Sequence, residues 1–118
     1  MNWIKLESEG QLADLQEKSR NNPVLIFKHS TRCSVSRAAL DRLERNWSPE
    51  GLNEVQPYFL DLITHRAISN RIAEDFHVAH ESPQVLIIRN GQSVYDRSHF
   101  DIDFKSIQQE IKNKSEVK

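Results

Sequence analysis

Apolar side chains recur along this chain in two rhythms. Val24-Leu25-Ile26-Phe27 and Val85-Leu86-Ile87-Ile88 are continuous apolar runs of strand length, the pattern of strands buried on both faces. Trp3-Ile4-Lys5-Leu6 is a shorter strand candidate. Val55 to Leu62 is another, with Pro57 near its start, where a missing N–H is tolerated. Helical spacing fills the intervals. Ser8-Glu9-Gly10-Gln11 fits a capping box, with Ser8 as N-cap and Gln11 reaching back; Leu12 and Leu15 follow on one face, and Asn21-Asn22-Pro23 stops the helix. Val35, Ala39, Leu43 and Trp47 repeat every four residues and predict a helix from about Ser34 to Asn46, ended by Ser48-Pro49-Glu50-Gly51. Ile68, Ile72 and Phe76 mark a third helix. Asn90-Gly91 predicts a hairpin with Gln92 to Arg97 as the returning strand. Asp103 then caps an amphipathic helix carrying Phe104, Ile107 and Ile111.

The resulting order, β-α-β-α-β-α-β-β-α, predicts an α/β fold. Its central sheet is mixed, parallel through right-handed crossovers with an antiparallel edge from the hairpin, and has helices on both faces. No repeat or linker interrupts the order, so one domain is expected over residues 1–112. Asn113 to Lys118 is charged, has only Val117 as an apolar anchor, and reads as a frayed tail.

Composition narrows the function. The chain has 118 residues, 37% of them hydrophobic, enough for one compact core. Sixteen basic residues face 17 acidic ones, for a net charge of −1. That balance argues against a broad phosphate-binding surface, and so against nucleic acid as a partner. No apolar run approaches the roughly 18 residues of a membrane span. The N-terminus lacks the basic and then apolar segments of a secretory signal. The single cysteine, Cys33, excludes an internal disulfide. The reducing cytoplasm is the expected compartment, and any disulfide chemistry must be intermolecular.

Cys33 follows a buried strand and precedes a helix, which places it at the carboxyl edge of the sheet, where open α/β proteins bind ligands. The positive end of the following helix faces the sulfur. No Asp or Glu occurs from Lys18 through Leu40, whereas Arg32 and Arg37 lie within four residues of Cys33. Positive surroundings favour the nucleophilic thiolate, and Arg32 is expected to attract an anionic partner such as a carboxylate-bearing small thiol. A free cysteine is commonly just a small buried hydrophobe. Ser30, Thr31, Ser34 and Ser36 make this segment too polar for that. Cys33-Ser34-Val35-Ser36 is a C-x-x-S sequence, with a hydroxyl where a dithiol protein has its second sulfur. Ser36 is expected to stabilise the thiolate by hydrogen bonding. It cannot attack a disulfide, so a mixed disulfide at Cys33 must be resolved from outside.

Glu81-Ser82-Pro83-Gln84 stands just before the second apolar strand. Together with the element order, it makes the chain resemble the thioredoxin fold. Phe27-Lys28-His29-Ser30-Thr31-Arg32-Cys33-Ser34-Val35-Ser36, paired with His80-Glu81-Ser82-Pro83-Gln84-Val85, is similar to the YtxJ-type monothiol bacilliredoxins over nearly the whole chain. The resemblance puts the family's reactive cysteine on Cys33, the serine of its C-x-x-S on Ser36 and its cis-proline on Pro83. Backbone at Ser82, just before that proline, would pair with a client. Members often carry Pro directly after the cysteine, and this chain has Ser34. The resemblance implies a thiol–disulfide oxidoreductase that removes bacillithiol from S-thiolated client proteins, and a monomer is expected. The small thiol enters as co-substrate, and no bound cofactor or metal is implied.

Two other classes compete. One is an iron–sulfur carrier with Cys33 as ligand, although Ser34-Val35 departs from the C-G-F-S signature of such proteins. The other is a redox-inert adaptor. His77 and His80 have a metal-like spacing without further ligands, and a plain loop is the simpler reading. His29 either ends its strand, the simpler option, or gives a proton to a leaving thiolate. Asp61 is a strand-end cap or a buried proton-managing carboxylate.

Overall fold

The computed structural model describes residues 3–48, 52 and 55–116. The elements are β1 (Ile4–Lys5), α1 (Glu9–Lys18), β2 (Val24–His29), α2 (Ser34–Asn46), β3 (Gln56–Asp61), α3 (Arg66–Phe76), β4 (Gln84–Arg89), β5 (Gln92–Ser98) and α4 (Phe104–Glu116). A 3-10 turn, His99–Asp101, joins β5 to α4. Residues 49–51, which the sequence marks as the stop after α2, lie outside the described residues.

The strands lie in the order β1-β3-β2-β4-β5. Both β1 and β2 run parallel to β3. Strand β4 runs antiparallel to β2, and β5 antiparallel to β4. The sheet is mixed, as expected, but antiparallel pairing begins one strand earlier than the hairpin alone implies. The chain leaves β3 at Asp61, paired with His29, and enters β4 at Gln84, paired with Lys28. Those positions are at the same edge of the sheet. Helix α3 and residues 77–83 therefore bring the chain back to the edge it left, instead of completing a parallel crossover. Periodicity reveals a helix between two strands, and not the edge at which the chain re-enters.

Alternation along the strands divides the core. Leu25, Phe27, Val85 and Ile87 pack with Ala39, Leu40 and Leu43 of α2 and Ile107 and Ile111 of α4. Val24, Ile26, Leu86 and Ile88 pack with Leu12 and Leu15 of α1 and Ile68, Ile72 and Phe76 of α3. Each of the Val, Leu, Ile and Phe side chains contributes about 1.5–3 kcal/mol by burial.

Local signals set the element ends. Ser8 Oγ accepts from Gln11 N at 3.3 Å, and Gln11 Oε1 accepts from Ser8 N at 3.1 Å, completing the capping box. Asp103 Oδ2 accepts from Ser106 N at 3.1 Å at the head of α4. The hairpin tip takes left-handed backbone at Asn90 (φ 53) and Gly91 (φ 74), as a two-residue turn requires. Strand β2 runs past the apolar run to take in Lys28 and His29, both buried. Helix α4 continues beyond Lys112 to Glu116, into the segment read as a frayed tail.

Candidate active site at the carboxyl edge of the sheet

Past His29 the chain makes one tight turn, with Cys33 N donating to Ser30 O at 3.1 Å. Cys33 is the N-cap of α2, with extended backbone (φ −109, ψ 121), and its carbonyl accepts from Arg37 N at 3.1 Å. Its side chain makes no capping hydrogen bond, and the first turn of α2 contains no acidic residue. Cys33 is half-buried. The uncapped N–H groups of α2 and the exposed Arg32 and Arg37 give this end of the helix positive character.

Ser36 does something other than the sequence suggests. It is fully buried, and its Oγ accepts from Ser30 N at 3.0 Å and lies 2.7 Å from His29 Nδ1. Among the described residues no hydrogen bond joins Ser36 to the sulfur of Cys33. The expected thiolate contact is replaced by a tie between α2 and the end of β2. The hydroxyl thus joins the backbone of Ser30 to the imidazole of His29. Burial, then the charge of Arg37, holds the His29 pKa below that of an ordinary histidine. Its ring sits 5.4 Å from that of Phe59 and 6.2 Å from that of Phe27. His29 is thus a structural partner that sequence reasoning did not connect to Ser36. The available signal was parity, because residue 29 falls on the same face as Leu25 and Phe27, toward α2.

The Ser82–Pro83 bond is cis, as the resemblance implies. Pro83 precedes Gln84, so it lies at the same edge as the His29–Cys33 segment. Pro83 is buried and Ser82 half-buried. Pro83 O accepts from His99 N at 3.0 Å, which ties this segment to the 3-10 turn. That turn packs against α2. The fold therefore gathers Arg32, Cys33, Ser82 and Pro83 at one edge, with Ser36 just behind and turned away.

The remaining candidates resolve simply. Asp61 caps its own turn, accepting from Ile63 N at 3.1 Å and Thr64 Oγ1 at 3.0 Å. His77 is exposed at the end of α3 in left-handed backbone. His80 Nδ1 faces Ser69 Oγ at 3.2 Å and Lys28 Nζ at 3.5 Å. Among the described residues, no three His, Cys, Asp or Glu side chains converge as metal ligands.

Known structures share this architecture. A solved structure described by its thioredoxin fold is 34% identical, with 90% of each chain covered and a TM-score of 0.76. Thioredoxin from Trypanosoma brucei brucei is 12% identical at a TM-score of 0.72, with 98% of this chain and 93% of that one covered. Thioredoxin O2 from Arabidopsis thaliana in its oxidized state is 18% identical at a TM-score of 0.70, with coverage of 92% and 93%. At such low identity the two thioredoxins show the fold alone. A lone cysteine at the helix end of this fold makes the protein a thiol–disulfide oxidoreductase of the thioredoxin-like class. Within that class, the family model described as monothiol bacilliredoxin BrxC matches residues 4–107. The chain belongs to the monothiol bacilliredoxin family.

Proposed function

We propose that the protein removes a low-molecular-weight thiol, bacillithiol, from mixed disulfides on client proteins. The Cys33 thiolate attacks the small thiol's sulfur. The client–thiol S–S bond breaks as the Cys33–thiol S–S bond forms, and the client sulfur leaves as a thiolate that takes a proton from water. A second small thiol, as thiolate, then attacks the small-thiol sulfur bound to Cys33. It leaves as the symmetrical disulfide, and Cys33 returns as a thiolate. Arg32 attracts the carboxylates of the small thiol, and the backbone at Ser82 pairs with the client. The observation that carries this reading is a half-buried cysteine at the head of α2, with the position one turn on held by a buried hydroxyl bound to His29. No internal group is available to resolve the adduct.

Intact mass after exposure to oxidised bacillithiol, glutathione and cysteine tests the proposal. One bacillithiol adduct per chain is expected on the native protein, and none on Cys33→Ser. An S-bacillithiolated client should lose its label to the native protein only. A Cys33 unmodified by every disulfide, or equal stripping by Cys33→Ser, would overturn it, and preference for another thiol would overturn the choice of bacillithiol.

A further inference from the structure

We propose that Lys28 is a positioning residue whose buried ammonium, with Ser69 and His80, holds the segment leading into Ser82–Pro83 in place for protein clients. This inference rests on the thiol-exchange reading above. Lys28 lies in β2 between β3 and β4 and is fully buried on the face that packs against α3. Among the described residues no carboxylate pairs with it. Burial lowers its pKa to about 8. An apolar side chain would fill this space without that penalty, so the groups it donates to are informative. They are Ser69 O of α3 at 3.4 Å and His80 Nδ1 at 3.5 Å.

Gln84 lies directly opposite Lys28 in the sheet and points to the same face. Its Nε2 donates to Ala79 O at 3.1 Å, while its buried Oε1 has no hydrogen-bond partner. Neighbouring side chains of β2 and β4 therefore grip consecutive residues, Ala79 and His80, of the strand-entry segment. Ser69 Oγ, 3.2 Å from His80 Nδ1, adds a hold from α3.

An ammonium only donates, so His80 accepts through an unprotonated Nδ1 and is the neutral Nε2–H tautomer. The groups facing it are Lys28 from β2, Arg66 and Ser69 from α3, and the adjoining Glu81. Glu81 is itself drawn to His99, at 3.4 Å, beyond β5. Burial, then Lys28 and Arg66, keeps the His80 pKa below the histidine value of 6.5, with Glu81 opposing them. Protonation would aim an N–H at the ammonium and break the grip. The hold persists above the His80 pKa and is lost as pH falls through it. Above about pH 8 Lys28 becomes a neutral amine, which still has two N–H groups to donate.

The test compares exchange on a protein mixed disulfide and on a small disulfide between about pH 5 and 8, around the titration of histidine. Lys28→Met should slow the protein reaction about tenfold or more, the scale of losing a charge-assisted hydrogen bond, with small-disulfide exchange within about twofold. His80→Gln retains an acceptor that cannot titrate. It should keep the neutral-pH rate and lose the acid decline seen for protein clients. Equal slowing of both reactions in Lys28→Met, or an unchanged acid decline in His80→Gln, would overturn the proposal. Histidine NMR gives a readout independent of activity: His80 should titrate at higher pH in Lys28→Met, and the same titration in both proteins would overturn the inference. Absence of both exchange reactions in the native protein would instead strike the thiol-exchange reading. If Lys28→Met does not fold, the His80→Gln profile decides.

Discussion

Ser36 shows how a motif residue can hold a site without touching the reacting atom. Ser36→Ala removes the partner of Ser30 N–H and of His29 Nδ1 together. Leaving such groups unpaired costs about 1–3 kcal/mol, so the urea midpoint should fall. Cys33 should still form a mixed disulfide, because no hydrogen bond to its sulfur is lost. His29 and His80 also set an acid limit on stability. Burial lowers both pKa values in the folded state, so below about 6.5 the unfolded chain binds protons that the folded chain refuses. Stability should decrease as pH falls from about 6.5 toward the folded values, and the decrease should shrink in a His29→Gln, His80→Gln double variant. Cys33 was legible in the sequence as the candidate nucleophile because it is alone, polar-flanked and free of nearby carboxylates. Lys28 was not. The apolar run stops at Phe27, and lysine is almost never fully buried. Its partners lie 41 and 52 positions along the chain, on elements whose approach no local pattern discloses.

Elements show the same division between local and distant causes. The capping box of α1 and the Asn90-Gly91 turn follow from a few adjacent residues and could be read directly. Both give simple expectations. Ser8→Ala should cost about 1 kcal/mol, the usual effect of losing an N-cap. At Gly91, with φ 74, an added Cβ meets nothing within 4 Å. The cost of Gly91→Ala, about 1–2 kcal/mol, is therefore conformational and not steric packing. Thermal melts of the two variants check these values. The direction of β4 is set by the path of residues 77–83, and alternating periodicity carries no record of it. The same holds for the end of β2, where β3 and β4 flank Lys28 and β3 alone pairs with His29.

For the whole molecule, the strand order leaves β1 and β5 at the two margins of the sheet. Unpaired backbone at a margin is a template for other chains, and proteins blunt it with short strands, charges and register breaks. Strand β1 has only two residues. Strand β5 exposes Asp96 and Arg97, the latter folded over the Tyr95 ring at 4.4 Å, and its register with β4 breaks at Ile87/Ile88. These devices protect solubility at a place remote from the chemistry. An Asp96→Val, Arg97→Val variant should keep its thiol chemistry and yet scatter light on concentration or mild heating, as copies add strand to strand along β5.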